Sequence, residues 1–144
     1  MTQAKFELIM GDWNSLHQDA KTIRFEVFVV EQQVPAEIEL DEMDPLCLHA
    51  IAYDQQGVPQ ATGRLLPDGH IGRMAVRKNL RGSGIGGAIL QALMEKARQR
   101  GEKRVVLNAQ IQAASFYARF GFEQVGQEFE EAGIAHIEMQ CQFE

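Results

Sequence analysis

The segment IGRMAVRKNLRGSGIGG, residues 71–87, decides the fold of this 144-residue chain. It begins as an apolar strand and ends in a glycine-rich loop, residues 81–87, that opens the best-patterned helix of the sequence. Glycine has no Cβ, so the backbone amides of such a loop can approach a phosphate closely. A helix N-terminus adds unpaired N–H groups and a partial positive charge. The segment therefore predicts a strand–loop–helix unit that holds a pyrophosphate.

The residues around the loop bear on its ligand. Gly82, Gly84 and Gly87 satisfy the dinucleotide pattern G-x-G-x-x-G, but the next strand ends in residues 106–109, VLNA, without the acid that would bind a ribose. The lysine–Ser/Thr pair of a Walker motif is also absent. A glycine turn that serves only strand–helix packing stays as the structural alternative. Positive charge near the loop favours the phosphate and comes from Arg73, Arg77, Lys78 and Arg81.

Apolar periodicity extends this unit toward the C-terminus. Ile85, Ile89, Leu93 and Ala97 recur at four-residue steps and predict a helix over 84–100, closed by Gly101. The elements predicted after it are a strand over 103–109, a helix over 112–120, a strand over 122–126 and an alternating strand over 135–143.

Toward the N-terminus the pattern predicts more strands. They cover residues 4–10, 48–53, 60–66 and 70–76, the last three as an antiparallel meander. A helix over 14–30, with Asn14 as its cap, and an acidic loop over 31–46 containing a short helix separate the first strand from the rest. The fold class is therefore α+β (α/β with a mixed sheet), with six to seven strands flanked by about four helices in a single domain over 1–144.

The net charge of −6 is unevenly distributed. Residues 31–44 contain six acids and no base, whereas residues 64–104 contain ten of the 14 bases. This asymmetry indicates either two solvated faces or an anion site and a cation site on one domain. Arg24, on the preceding helix, is expected to pair with Asp41 or Asp44 of this acidic stretch and so hold the loop in place.

Composition excludes several classes of protein. An acidic chain is a poor nucleic-acid binder, and no apolar run is long enough to span a membrane. The N-terminus lacks the apolar core of a signal peptide, so we expect a cytoplasmic protein. Cys47 and Cys141 have no metal-ligand spacing, which predicts two buried reduced thiols and no metal site.

Residues 71–87, with Arg81, Gly84 and Gly86 as the R-x-x-G-x-G element, resemble the acetyl-CoA motif of the GNAT acyltransferases. Residues 105–122, VVLNAQIQAASFYARFGF, resemble the following motif of that family. The resemblance covers nearly the whole chain and is greatest to the ElaA-like branch, where residues 24–32, 108–110 and 130–136 are also recognisable.

The resemblance implies a GNAT acyl-CoA N-acyltransferase fold and acetyl-CoA as co-substrate. It implies that the backbone of Met74, Ala75 and Val76 holds the pantetheine arm and that Asn108 ends a strand that splays to admit it. The implied pyrophosphate amides belong to Gly82, Ser83, Gly84, Ile85, Gly86 and Gly87. Tyr117 would protonate the departing CoA thiolate.

The expected reaction is acetyl transfer to a primary amine of a small molecule or peptide, by direct attack in a ternary complex. The candidates for general base are Glu31, His49 and His136, or water. The acidic stretch would attract a protonated amine. The alternatives are an acyl-homoserine lactone synthase-like acyltransferase, suggested by Arg24, Phe28, Asp41 and Asp44, and a non-catalytic CoA-binding module. A homodimer is also possible.

Overall fold

The computed structural model describes residues 6–143. The strands are β1 (Glu7–Gly11), β2 (Leu48–Tyr53), β3 (Pro59–Leu65), β4 (Ile71–Val76), β5 (Arg104–Gln110), β6 (Glu123–Gln124), β7 (Phe129–Glu131) and β8 (Ile134–Gln142). The α-helices are α1 (Trp13–Arg24), α2 (Ala36–Glu39), α3 (Ile85–Gln99) and α4 (Ala114–Ala118). Residues 4 and 5 of the predicted first strand lie outside the described residues.

The strands form two four-stranded sheets. In the first, β1, β2, β3 and β4 are antiparallel neighbours, which confirms the predicted meander and adds β1 to its edge. In the second, β8 pairs with β5, β6 and β7. A parallel bridge between His70 and Val106 joins the sheets. The combination of antiparallel ladders, a parallel seam and separate helices confirms the predicted α+β class with mixed strand directions.

The described residues contain one strand more than the seven segments predicted. This strand, β7, forms a hairpin with β8 through Ala132 and Gly133, whose φ values are 54° and 76°. Two consecutive positive φ values match the twist of a two-residue hairpin. The predicted strand over 122–126 is shorter and consists of β6.

A β-bulge in β4 separates the two sheets. Thr62 pairs with Ala75 but Arg64 pairs with Gly72, so β4 has one extra residue at this point. Arg73, beside the bulge, has a φ of 49°, in the left-handed region. The bulge bends β4, and among the described residues β5 forms no ladder with β4: the one parallel bridge, His70–Val106, lies just before β4 begins. A gap therefore opens between β4 and β5.

Helices cover both faces of the first sheet. A Cβ at Gly63 would lie 3.0 Å from side-chain atoms of Ile89 and Leu93, so α3 packs against this face of β3. The next residue, Arg64, points to the other face, where α1 lies. The core between α3 and the sheets contains Ile89, Leu90, Leu93, Ala97, Leu107 and Ile137.

The first helix differs from its prediction at both ends. Its N-cap is Asp12 rather than Asn14, because the Asp12 Oδ1 accepts a hydrogen bond of 2.9 Å from the Ser15 N–H. The α-helix ends at Arg24 and continues as a π-helix over Phe25–Glu31. The π-helix has a wider turn than an α-helix, and its last hydrogen bond runs from the Gln32 N–H to the Val27 carbonyl, five residues earlier, at 3.0 Å.

Both cysteines are free thiols. Cys47 is buried, and burial raises the pKa of its thiol to about 11. Cys141 is only partly buried, so the expectation of two buried thiols is correct for Cys47 alone.

Candidate active site

A cavity of about 1220 Å³ occupies the gap between β4 and β5. It is lined by residues of the π-helix, the bulged strand, the glycine loop, β5, α4 and the β7–β8 hairpin, so it reaches both faces of the first sheet. The predicted site residues that line it are Met74, Ala75, Val76, Arg81, Gly82, Gly84, Gly86, Gly87, Asn108, Tyr117 and His136. Ser83, Ile85, Glu31 and His49 are not in its lining.

The glycine loop has the geometry of an anion-binding turn. Gly82 and Gly84 have φ values of 86° and 92°, and a Cβ at either residue would meet no atom within 4 Å. Gly84 is the N-cap of α3, so the first N–H groups of that helix follow directly. Because the loop is exposed and lines the cavity, its amides fit a phosphate group. The side chain of Ile85 is buried in the core.

The next glycines allow α3 and α4 to approach each other. A Cβ at Gly87 would lie 2.7 Å from Cζ of Phe120, which is closer than real side chains pack. A Cβ at Gly86 would lie 3.3 Å from the Val76 side chain. The packing alternative for the glycine motif therefore applies to Gly86 and Gly87, whereas Gly82 and Gly84 face open space.

Tyr117 lies in the cavity wall within an aromatic cluster. Its ring meets those of Phe116 and Phe122 edge to face, with centroids 5.1 and 5.9 Å away. Its hydroxyl makes no hydrogen bond to any described residue, and burial raises the pKa of Tyr117 to about 12. The phenol is therefore protonated at neutral pH and free to donate to a ligand.

His136 is held in one orientation on β8. Its Nδ1 lies 2.7 Å from the Ile134 carbonyl oxygen, which fits an Nδ1–H donor and leaves Nε2 as the basic nitrogen. Glu131 Oε2 is 3.8 Å from that Nε2, and the Phe129 ring stacks on the imidazole at 5.8 Å. The predicted alternation of β8 fails here, because His136 is buried and Ala135 is exposed.

The other two candidate bases are engaged elsewhere. The Glu31 carboxylate accepts two hydrogen bonds from the Arg81 guanidinium, and these bonds hold the pKa of Glu31 below its usual value. His49 is only 1% exposed, and its Nε2 lies 2.8 Å from the Asp44 carbonyl oxygen. Burial lowers the pKa of His49. Neither residue lines the cavity.

The arginines near the loop are mostly paired with acids. Arg73 donates to Asp41 at 3.2 Å, on the α1 face, so the expectation that it adds charge at the loop is wrong. Arg77 forms a bidentate pair with Glu26, with both distances 2.8 Å. A cation that the sequence reasoning missed is Arg119, which lines the cavity with its guanidinium 5.7 Å from the Phe116 ring centroid. The only sequence signal for it is its three-residue spacing from Phe116.

The acidic segment is pinned by a buried network of ion pairs. Arg24 donates to both carboxylate oxygens of Asp44 at 2.8 and 3.0 Å and also pairs with Glu39. The predicted Arg24–Asp44 pair is therefore confirmed, whereas Asp41 pairs with Arg64 and Arg73 instead. Arg64 was not predicted, since a single arginine in a strand gives no sequence signal.

An amide pair connects the π-helix end to the second sheet. The Gln110 Nε2–H donates to the Gln32 Oε1 at 2.8 Å, and the Gln32 Nε2 lies 3.4 Å from the Gln110 Oε1. Both glutamines line the cavity. The pair therefore bridges the gap that the bulge opens.

Residues 6–143 show neither a metal-binding cluster nor a membrane-spanning helix. No group of three or more His, Cys, Asp or Glu side chains is arranged to hold a metal ion. No helix among them is long and apolar enough to cross a membrane.

Comparison with known proteins places the chain in a family. Residues 16–143 match the acetyltransferase (GNAT) domain model. The uncharacterized N-acetyltransferase YjcF of Bacillus subtilis (strain 168) is 41% identical over 126 residues, covering 85% of this chain and 89% of the relative. The protein ElaA of Escherichia coli (strain K12) is 30% identical over 146 residues, covering 90% of this chain and 95% of the relative.

Solved structures agree with the sequence comparisons. The crystal structure of Escherichia coli ElaA superposes with a TM-score of 0.84 at 28% identity, covering 96% of this chain and 100% of the other. An acyl-CoA N-acyltransferase from Pseudomonas aeruginosa gives a TM-score of 0.84 at 29% identity, covering 95% and 99%. With the family model matching almost the full described length, this chain belongs to the GNAT acetyltransferase family, as a relative of ElaA.

Proposed function

We propose that this acetyltransferase moves an acetyl group from acetyl-CoA to a primary amine of a small molecule or peptide by direct attack in a ternary complex. The observation that carries the proposal is that one cavity contacts the glycine loop, the β4 backbone and the Tyr117 side chain. A pyrophosphate, a pantetheine arm and a departing thiolate need those three features in that order along one ligand.

The binding residues have distinct roles in this proposal. The amides of Gly82–Gly87 hold the pyrophosphate, and Arg119 adds positive charge to the cavity lining, whereas the charge of Arg81 is paired with Glu31. The backbone of Met74–Val76 holds the pantetheine arm and polarises the thioester carbonyl. Its polar groups are available to a ligand because β4 separates from β5 beyond the bulge. Asn108 lines the opposite side of the gap.

In the chemical step the amine nitrogen forms a bond to the thioester carbon, and the carbon–sulfur bond breaks. The departing thiolate takes the proton of the Tyr117 hydroxyl, and solvent returns a proton to the tyrosine. The amine's proton leaves to His136 Nε2 or to water. His136 is the candidate base that the geometry favours, since it lines the cavity and a hydrogen bond donated by Nδ1 to the Ile134 carbonyl would leave Nε2 to accept the proton.

The experiment is a thiol-release assay with acetyl-CoA and a panel of amines, amino acids, aminosugars and peptides. Tyr117→Phe should lower kcat about 100-fold while leaving CoA affinity by calorimetry unchanged. Tyr53→Phe is the matched control, because the Tyr53 hydroxyl donates to Asp19 at 2.6 Å outside the cavity. His136→Gln should also lower kcat. Equal kcat values for the two tyrosine variants would contradict the acid role, and no thiol release with any amine would contradict the reaction.

A further inference from the structure

Most of the charged side chains that line the cavity are balanced by a partner. The buried network of the acidic segment contains three arginines and three acids, namely Arg24, Arg64 and Arg73 with Glu39, Asp41 and Asp44. Arg81 is paired with Glu31. Four of the six acids in residues 31–44 are therefore held by arginines, so this segment offers little free negative charge to a protonated amine.

Two charged side chains of the lining, Arg119 and Glu131, have no such partner. Arg119 forms no ion pair within residues 6–143 and lies over the ring of Phe116. That ring would be 3.6 Å from a Cβ at Gly86, so Arg119 belongs to the glycine-loop end of the cavity, where the phosphates are expected. Glu131 has no lysine or arginine within ion-pair distance in the described part of the chain, and its side chain is 51% exposed. Its negative charge is therefore available to a ligand.

The strand register places this charge on the acceptor side of the gap. His136 of β8 lies opposite Gln110 of β5, so their side chains share one face of the second sheet. Ile137, the next residue, points to the other face, into the core that α3 covers. Gln110 donates to Gln32, so the face of His136 is turned toward the π-helix. An acetyl group that enters the gap from the glycine loop on the α3 side therefore meets His136 beyond it.

His136 and Glu131 present two hydrogen-bond acceptors to each other with no donor between them. Nδ1 of His136 lies 2.7 Å from the Ile134 carbonyl oxygen, and since a carbonyl oxygen only accepts, Nδ1 carries the hydrogen. The neutral imidazole therefore presents a lone pair at Nε2. Glu131 Oε2 is 3.8 Å from this Nε2, which is beyond hydrogen-bond distance. A donor nitrogen about 2.9 Å from each of the two atoms fits between them.

We propose that Glu131 and His136 form an ammonium-binding site, so that the acceptor is a primary amine that arrives protonated and carries no carboxylate beside its nitrogen. The inference rests on the proposed acetyltransferase function and adds Glu131 to the residues that bind the acceptor. The ammonium donates to Glu131 Oε2 and His136 Nε2 at the same time. Hydrogen bonds between charged groups are the strong, charge-assisted kind.

The same contacts prepare the amine for attack. One ammonium proton passes to His136 Nε2, and the neutral nitrogen then forms a bond to the thioester carbon as the carbon–sulfur bond breaks. The second proton lost from the nitrogen goes to solvent, and Tyr117 protonates the departing thiolate. Glu131 keeps its charge throughout and acts by binding the ammonium.

A carboxylate beside the amine would oppose binding at this site. It would lie within a few bonds of the ammonium and therefore close to the Glu131 carboxylate, and like charges at such a distance repel. The arginines of the acceptor side do not compensate, because their charges are balanced by Glu39, Asp41 and Asp44. The site therefore favours aliphatic amines, amino-acid amides and peptide N-termini over free amino acids.

Thiol release from acetyl-CoA with matched acceptors tests the site. The panel consists of the common amino acids with a primary amine, their carboxamides and their decarboxylated amines. The best amine without a carboxylate should exceed its parent amino acid in kcat/KM by at least about 10-fold. Glu131→Gln should raise the KM of that amine about 5-fold and reduce the preference by a similar factor, with kcat little changed, because the variant keeps the shape but loses the charge.

Glu130→Gln is the matched control. Glu130 is the adjacent exposed acid of β7, points to the opposite face of the strand and is outside the cavity lining. This variant should leave both the KM and the preference unchanged. Calorimetry of the same amines with CoA-saturated protein adds a readout without turnover, in which Glu131→Gln should bind the best amine about 5-fold more weakly than the wild type.

The outcomes separate this inference from the proposed function. Thiol release without discrimination against the carboxylate, an unchanged preference in Glu131→Gln, or an equal loss in Glu130→Gln would overturn the ammonium site and leave the acetyltransferase intact. A lower kcat at constant KM in Glu131→Gln would show that Glu131 acts on His136 alone, and it would also overturn the site. No thiol release from any amine would contradict the proposed reaction. Calorimetry then decides the site, since weaker binding to Glu131→Gln supports it, whereas equal or absent binding overturns it.

Discussion

Asp41 shows how a single residue links the acidic segment to the sheet. It accepts hydrogen bonds from Arg64, Arg73 and the Met43 N–H. Hydrogen bonds from Arg64 outweigh the opposing effect of burial and lower the pKa of Asp41 to about 2. A carboxylate bound this way stabilises the native state only while it is ionised.

We expect Asp41→Asn to destabilise the protein by about 2 kcal/mol at pH 7. The folded pKa of about 2 lies below the ordinary value of 3.8, so this stabilisation is present above pH 3.8 and is lost as the pH falls toward 2. The difference between wild type and variant should therefore shrink from pH 7 to pH 3 in urea unfolding.

Glu42→Gln serves as the control for this measurement. Glu42 is an exposed acid beside Asp41 in the chain and forms no ion pair with a described residue. A pH-independent loss of stability in Asp41→Asn, or an equal loss in Glu42→Gln, would show that the arginine contacts do not provide the stabilisation.

At the scale of elements, the glycines of the loop have two different structural roles. Gly86 and Gly87 allow close packing of α3 against its neighbours, whereas Gly82 and Gly84 adopt positive φ values with open space around them. A non-glycine residue at positive φ costs about 1 kcal/mol. Glycine adopts such φ values without strain, so both residues can line the cavity at these positions.

Gly82→Ala should lower stability by about 1 kcal/mol and weaken CoA binding about 10-fold or more, because the added methyl group stands where the phosphate would approach. The comparison is Gly57→Ala, with a φ of 79° and equally open space in the β2–β3 turn. It should show the stability loss alone in denaturant unfolding. Equal CoA dissociation constants for the two variants in calorimetry would contradict a phosphate-binding role for the loop.

At the scale of the whole molecule, the cavity exists because the two sheets are joined just before β4 and separate along β4 and β5. The His70–Val106 bridge closes one end of the seam, and the bulge beside Arg73 opens the other. Residues from both sheets, α3, α4 and the π-helix line the space between them. A ligand in this space would contact residues of both sheets at once.

CoA should therefore stabilise the whole fold. At 100 times its dissociation constant a ligand that binds only the native state adds about 2.7 kcal/mol, which corresponds to a Tm rise of several degrees for a domain of this size. Pantetheine lacks the pyrophosphate. At the same molar concentration as CoA it should therefore raise the Tm much less in a thermal melt. Equal shifts for both compounds would indicate that the glycine loop contributes nothing to binding.

The sequence determined the elements whose signals are local. The glycine motif between Val76 and Ile89, the four-residue spacing in α3 and the alternation in the meander depend on near neighbours, so strand–loop–helix order, fold class and the cavity-facing role of Gly82 and Gly84 were predictable. An ion pair between Arg24 and Asp41 or Asp44 was predictable because a cation on an apolar helix face needs a nearby acid, but the choice of Asp44 was not.

Only the tertiary structure decided which charges meet. Asp41 lies 23 positions before Arg64 and 32 positions before Arg73 in the sequence. The three residues belong to a loop, a strand and a bulge, and no periodicity relates them. The same holds for the separation of His136 from His49 as candidate bases, since burial and cavity access depend on β8 packing against β5 and β7. Long-range side-chain pairing has no local signature, because it depends on how strands and loops that are distant in sequence come together in the fold.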